Sequence, residues 1–412
     1  MSIPPAGPAP AVSRQAWILL GGAFLTFTLG ASLMHAYTVF LLAFIAEFAW
    51  TRAQASLAYS VGQLVGGLSS PLVGAMVDRI GPTRMVLLGG ALLIAGLIGS
   101  AMATQLWQMV LLYGVVITLG ANCIGLLVFV PLLSGLFTRQ RGTAIAVLQS
   151  GNAFGRALSA PISQLLISGV GWRNAYLVEA AAMAVVVLPL AALFRRKPQA
   201  DAATPAAGAL PPRHWTLHEA IRTRQFWLLG LVYMLTSIGS FLVSLHQIAF
   251  AVDIGFDPLY AAGVLGMGAF LALPGVILTG TLSDYIGRER AAVLTYGVSI
   301  IGVVFALLIT SADQHLLLWA HALFFGLTWG ARGPAITAKT ADLFPGPRLG
   351  TILGVITIGS GLGAGIGSWA AGWIFDFSGS YKTAFWLSII AYVAGSAAFW
   401  SLRRLKPVDR AA

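Results

Sequence analysis

The chain has 412 residues, of which 58% are hydrophobic and only 9% charged, with a formal net charge of +11. A water-soluble domain carries about 25% charged residues, so a globular protein with a hydrated surface is excluded. Twelve apolar runs approach the roughly 20 residues that cross a bilayer core. In chain order, numbered spans 1 to 12, they lie near 16–43, 54–77, 84–103, 107–137, 142–168, 173–194, 225–251, 258–283, 291–311, 315–342, 349–375 and 382–402.

Residues 1–14 are rich in Pro and Ala and are expected to form a disordered tail. The first apolar run lacks a short hydrophobic region with a cleavage site and is expected to persist as span 1. It ends in AEFAWTR, where Trp50 suits an interfacial belt and Arg52 the headgroups. Span 2 leads into a charged turn, GAMVDRIGPTR at Gly74–Arg84, which recurs as GTLSDYIGRER at Gly280–Arg290. Gly74, Asp78, Gly81 and Arg84 pair with Gly280, Asp284, Gly287 and Arg290, and the offset 280 − 74 gives 206 residues. Spans 3 and 4 are joined tightly at Ala103–Trp107, span 5 follows LFTRQRG directly, and a loop at Ser168–Arg173 leads to span 6.

From 195 to 224 the composition turns to Pro, Ala and charge, as in an interdomain linker, with a short surface helix expected over His214–Arg224. The chain therefore divides into a bundle at 15–194, a linker at 195–224, a second bundle at 225–404 and a tail at 405–412. Further matches support the duplication: Arg141-Gly142-Thr143 with Leu349-Gly350-Thr351, Gly151 and Gly155 with Gly359 and Gly363, and Trp50 with Phe256. An even number of spans separates the copies, so two parallel six-helix bundles are expected.

The basic residues occupy alternate loops: Arg79 and Arg84, Arg139 and Arg141, Arg195 to Lys197, Arg288 and Arg290, Arg348, and Arg403 to Arg410. The opposite loops hold Arg52, Arg173 and Lys382 with the acids Glu47, Asp253, Asp257, Asp313 and Asp376. This positive-inside bias puts both termini and the linker in the cytoplasm of a multi-pass protein of the cytoplasmic membrane, and leaves no role for nucleic acid. Cys123 is the sole cysteine, so there is no intrachain disulfide and no Cys-based metal site. No cofactor or metal is expected.

The two charged turns resemble the loop motif of the major facilitator superfamily, with Met76 where leucine is usual. Within it, YTVFLLAFIAEFAWTRAQAS (Tyr37–Ser56), LFTRQRGTAIAVLQSGNAFG (Leu136–Gly155) and HQIAFAVDIGF (His246–Phe256) resemble the bacterial monocarboxylate transporter and oxalate/formate antiporter group. The resemblance implies an all-α membrane fold of twelve helices in two pseudo-symmetric six-helix bundles. It also implies a cavity lined by spans 1, 4, 7 and 10, and turns that help hold one conformational state. The residues assigned to that gating are Asp78, Arg79, Gly81, Arg84, Asp284, Gly287, Arg288, Arg290 and Arg141. The group's arginine in span 8 has no counterpart, because Pro258–Asp284 holds no basic residue.

Charged side chains deep in a bilayer face protein or water, not lipid. Arg156 lies 14 residues past Gly142 and Arg332 13 before Pro345, about 20 Å along each helix and near mid-depth. Lys339, closer to an end, can snorkel. Gln149, Asn152, Arg156, Ser159 and Ser163 share a face of span 5, and His321, Thr328, Arg332 and Lys339 a face of span 10. Span 1 adds His35, span 4 Asn122 and Tyr113, and span 7 His246 and Gln247. The expected substrate contacts are Arg332, Arg156, Asn152, Gln149, His35, Asn122, His246, Gln247 and Thr328, around a small organic anion. The alternative is that each arginine ties helices together through backbone carbonyls.

No acid falls at mid-depth in spans 1, 4, 7 or 10, and Glu179 and Asp342 lie nearer helix ends. The candidate proton carriers are therefore His35, His246 and His321. The Gly151/Gly155 and Gly359/Gly363/Gly367 repeats mark close helix packing. The sequence reads as a monomeric secondary carrier of a monocarboxylate-like anion, symporter or antiporter, with protons as candidate coupling ion. A proton-coupled exporter of amphipathic compounds and a non-transporting membrane sensor are the alternatives. An enzyme is not expected, since no catalytic arrangement falls at a shared depth.

Overall fold

A computed structural model describes residues 14–137, 141–195, 215–344 and 348–404, so the tails and most of the linker lie outside it. All its regular elements are helical, with no strand among the described residues. Ten segments are long and apolar enough to cross a membrane. One of these, Val147–Phe194, holds spans 5 and 6 together, and the shorter helix His315–Trp329 continues as Arg332–Leu343 to complete span 10. Twelve spans result.

Local chemistry explains where the helices start and stop. Thr51 caps span 2 in a reciprocal box with Gln54. Side-chain capping recurs at span 8, where the carboxylate of Asp257 accepts from the Tyr260 amide and Pro258 takes the first helical position. Gly81 and Gly287, paired in the sequence repeat, both adopt positive φ (80° and 90°) and break the chain between spans 2 and 3 and between spans 8 and 9. An L side chain is strained there, which is why both copies carry glycine. Span 4 is interrupted at Ile124-Gly125, span 7 at Leu245-His246 and span 10 at Gly330-Ala331. Such breaks are tolerated at membrane depth only where protein or a water-lined cavity covers them.

The duplication extends to helix crossings. Gly96 and Gly302 each bring span 3 or 9 against span 4 or 10, since a Cβ on either would lie 2.5 Å from Ile117 or from the Phe325 amide. Gly62 and Gly268 do the same between spans 2 and 4 and spans 8 and 10. Span 11 has two glycine faces. Gly359 and Gly367 abut the span 7 backbone at Gly230 and Ile238, whereas Gly361 and Gly365 abut span 2 at Gln63 and Ser60, in the other half. Gly266 of span 8 likewise meets Ala157 of span 5. The halves therefore touch through smooth small-residue seams, the surface along which helices can approach and slide.

Candidate functional site

The two ends of the bundle differ. The turn end carries Gly81 and Gly287; the far end carries Arg52, Asp253 and Asp376. Between the halves lies a cavity of about 1210 Å³. Gly74 and Ala75 of span 2 and Gly350 and Thr351 of span 11 line it at the turn end. Deeper in, its walls are Phe27, Met34 and His35 of span 1, Tyr113 and Asn122 of span 4, Asn152 of span 5, Phe241 of span 7 and Trp329 of span 10.

Arg156 does not line this cavity but an adjoining pocket that shares His35, Tyr59 and Trp329 with it. Its guanidinium lies 3.6 Å from the centroid of the Trp329 ring, a contact that joins the two halves. Its Nη1 is buried without a hydrogen-bond partner, and no described carboxylate forms an ion pair with it. His35 meets the edge of the same indole at 5.6 Å, and His35 and Asn152 both line the large cavity. A smaller adjoining pocket of about 20 Å³ is lined by His35, Tyr59, Arg156, Ser159, Ser244 and Gln247. That is room for about one water.

Arg332 is placed differently. It donates from Nη1 to the Thr236 carbonyl (3.0 Å) and the Ser237 hydroxyl (3.1 Å), tying span 10 to span 7, while its Nε is buried and unpartnered. It borders neither pocket but lies 5.9 Å from the Trp329 ring, so one indole stands between two guanidinium groups that have no counter-charge among the described residues. The result is a positive potential around Trp329 and the small pocket, in a low-dielectric setting.

The structure gathers Arg156, Asn152, His35, Asn122 and Gln247 around the two pockets. Asn122 also donates to the Gly66 carbonyl and Ser69 hydroxyl, fixing span 4 to span 2. Four other residues stand apart. Gln149 is exposed and borders neither pocket. Thr328 hydrogen-bonds Ser299 of span 9 at 2.7 Å. His246 is fully buried, Nε2 donating to the Ser368 carbonyl (2.9 Å) and Nδ1 facing the Tyr381 hydroxyl (3.2 Å). His321 donates from Nδ1 to the Gly302 carbonyl and stacks on Phe325. Trp329, Tyr59 and Phe241 are not marked by the sequence, because aromatic residues are common on membrane helices and only Trp329's place beside Thr328 in the polar stripe sets it apart.

At the turn end, the side chains of Asp78, Asp284 and Arg141 lie outside the described set. Arg79, Arg84 and Arg290 are exposed. Arg288 donates to Ser283 and lies 3.5 Å from Asp342, and Lys339 pairs with Glu289 at 2.7 Å, so spans 9 and 10 are clamped.

The far end is closed across the halves. Arg52 makes two contacts with Asp253 (2.6 and 2.8 Å), and the Asp376 carboxylate accepts from the backbone amides of Arg52 and Ala53 (2.7 and 2.8 Å). Arg52 thus differs from the headgroup role read from sequence: partners on spans 7 and 11 draw it inward, leaving its side chain 11% exposed. Ser60 and Ser368 continue the seal at 2.7 Å. Within the first half, Arg173 and Trp172 hold Glu47.

Comparison with known proteins agrees with this architecture. The chain is 27% identical over 383 residues to monocarboxylate transporter 13 of Bos taurus, covering 92% of this chain and 87% of that protein. It is 24% identical over 377 residues to the MFS-type transporter YcxA of Bacillus subtilis (strain 168), covering 89% and 90%. In three dimensions it matches a bacterial homologue of the human lysosomal transporter Spinster in an inward-facing, unoccupied conformation, with a TM-score of 0.76 at 16% identity over 96% of this chain and 98% of that one. The nucleoside transporter NupG gives a TM-score of 0.75 at 13% identity over 94% and 100%. The family model for the Major Facilitator Superfamily matches residues 19–338. On that match, and on the twelve-helix duplicated fold, the chain belongs to the major facilitator superfamily of membrane transporters.

Proposed function

We propose that this protein is a monomeric secondary transporter that moves a small organic monoanion, monocarboxylate-like, across the cytoplasmic membrane by alternating access. The observation that carries the reading is the Arg156 guanidinium, buried in the small pocket that adjoins the cavity at His35, Tyr59 and Trp329, with Nη1 unpartnered and no described carboxylate to neutralise it. A desolvated guanidinium left with free donors recruits an anion, and its planar fork suits a carboxylate. His35 and Asn152 add neutral polar contacts beside it. The likeness to monocarboxylate transporters supports this cargo class. Arg332 contributes field rather than contact. The basic bias of the turn end supports a cytoplasmic position for that end; the cavity then faces inward and the Arg52 cluster closes the outside.

The cavity volume favours a second reading, an amphipathic anion larger than a simple acid, since about 1210 Å³ exceeds the usual range of small-ligand pockets, roughly 300–1,000 Å³. Counterflow in proteoliposomes tests both. Labelled pyruvate, L-lactate and benzoate are measured beside lactamide and benzamide, neutral isosteres of two of them. At least one acid and neither amide is expected to exchange, and Arg156→Ala is expected to lower the apparent affinity about 100-fold, as loss of one partner of a desolvated charge pair does. Arg156→Lys keeps the charge but loses the fork and the indole stack, and is expected to recover only part of it. Equal exchange of acid and amide, or an Arg156→Ala carrier with wild-type affinity, would remove the anion site.

A further inference from the structure

We propose that Glu179 is a proton-binding site of the transport cycle, reached from the cavity along the polar face of span 5; this rests on the reading of Arg156 as the anion site. Glu179 lies eight residues past the break at Gly171, about 12 Å along the helix from the far end. Its Oε1 accepts from the Ser163 hydroxyl at 2.9 Å, and its Oε2 is buried with no partner.

The ionisable groups near enough to feel the charge of Glu179 are phenols: Tyr176 on the same helix, whose hydroxyl is also buried without a partner, and Tyr113 from span 4. Tyr37 of span 1 stands next to both of these. Tyr113 and Tyr37 direct their hydroxyls elsewhere, to the Met34 and Ala55 carbonyls. Among the described residues no Lys, Arg or His pairs with Glu179. A carboxylate held by one hydroxyl in such a place is costly, whereas the neutral acid is much less so.

A track leads to it. Arg156, Ser159 and Ser163 follow one another at steps of three and four on one face of span 5. Ser159 borders the small pocket beside Arg156 and His35 that has room for about one water. Ser163, one turn on, bonds the carboxyl itself. The Ser159 hydroxyl donates to the Arg156 carbonyl at 3.0 Å, so a proton passing from the small pocket to Glu179 needs that hydroxyl to turn and a further water to bridge Ser159 and Ser163.

The arrangement also supplies a reason for coupling. Arg156 and Ser163 are seven residues apart, about 10 Å along the helix. Two unit charges at that separation influence each other's ligand binding about tenfold at an effective dielectric constant near 20. An anion on Arg156 and a proton on Glu179 therefore favour one another, and reciprocally. The fully loaded site holds guanidinium, anion and neutral acid; the empty site holds guanidinium and carboxylate. The Arg332 charge is common to both, so loading anion and proton together changes no net charge, whereas taking up either one alone shifts the charge of the site by one unit. Joint loading is therefore the favoured course, and one proton then moves with one anion.

Two measurements on the full-length protein test this. Infrared spectra of the anion-free carrier are expected to show the C=O stretch of a protonated carboxyl that fades as the pH is raised and is missing in Glu179→Gln. In proteoliposomes, Glu179→Gln keeps volume and the Ser163 contact, so labelled-acid counterflow is expected to continue while accumulation driven by an inward proton gradient falls at least tenfold. A wild-type spectrum without that band, or a Glu179→Gln carrier that still accumulates the acid along the proton gradient, would overturn the proposal while leaving the anion site intact. If no acid exchanges in the wild-type carrier, it is the anion reading that fails, and the infrared band alone then decides Glu179. Should Glu179→Gln not reconstitute, Ser163→Ala, which removes the one hydroxyl on the carboxyl, is expected to shift the pH at which the wild-type band fades; an unchanged profile counts against the site.

Discussion

Asp376→Ala is expected to release the far end of the molecule and shift the carrier toward a conformation open on that side. Its carboxylate accepts from the Arg52 and Ala53 amides, among the first free N–H groups of span 2, and sits at the positive end of that helix. Span 2 belongs to the first half and span 11 to the second, so the contact exists only while the far end is shut. Hydrogen bonds to a charged group contribute about 1.5–3 kcal/mol each, but Asp376 is exposed and water replaces much of that. A net loss of about 2 kcal/mol corresponds to a roughly 30-fold change in the equilibrium. The Arg52–Asp253 pair breaks in the same movement, and Asp253→Ala is expected to add to the effect. Spin labels at Gln105 and Asp313, in exposed loops of the two halves at that end, report it in a Cys123→Ala background. A new longer-distance population in Asp376→Ala is the expected result; a distribution identical to the parent would mean that the carboxylate does not hold the gate.

Two alanine substitutions are expected to change stability in opposite directions. At Gly326 of span 10, a Cβ would run into the Gly268 carbonyl of span 8 and lie 2.8 Å from the Gly268 Cα, so one backbone has to give way. Overpacking of this kind costs typically about 1–3 kcal/mol, and here the obstacle is main chain rather than a side chain that can rotate. At Gly297 of span 9 nothing lies within 4 Å, and an interior helical Gly→Ala change gains roughly 0.5–1 kcal/mol. Gly326→Ala is thus expected to lower the melting temperature in detergent and Gly297→Ala to hold or raise it. Equal shifts would show that the crossing of spans 8 and 10 is looser than its geometry implies. A Cβ at Gly120, the residue 206 positions before Gly326, would meet the Gly89 carbonyl of span 3 at 2.9 Å, so the same argument extends to the first half with a smaller effect.

The fold was legible in the sequence because its signals are local and repeated. Twelve apolar runs and a charged turn copied at a fixed offset follow from composition along the chain. The glycines at 81 and 287 carry a backbone requirement that only that residue meets without strain. Arg156 and Arg332 were conspicuous for the same reason, since a charge inside an apolar run stands out whatever its surroundings.

Their surroundings were not legible. Both arginines lie near mid-depth, each on a polar stripe of its own helix, yet one lines the small pocket beside the cavity with a free donor and the other is tied to span 7. That difference depends on helix rotation and on where Trp329 falls, which no single-helix pattern contains. His246 and His321 looked equivalent to His35, but each is turned to a backbone carbonyl from a neighbouring span. Arg52, Asp253 and Asp376 are separated by up to 324 residues along the chain and come into contact only when the halves meet. The sequence by itself determined a duplicated twelve-span membrane protein of this superfamily, because hydrophobic length, charge bias and turn chemistry act over a few residues at a time. Which polar side chains face water, which face one another and which stay unpaired was decided only by tertiary structure, because pairing in a low-dielectric interior is a matter of ångström-scale contacts between helices remote in the chain.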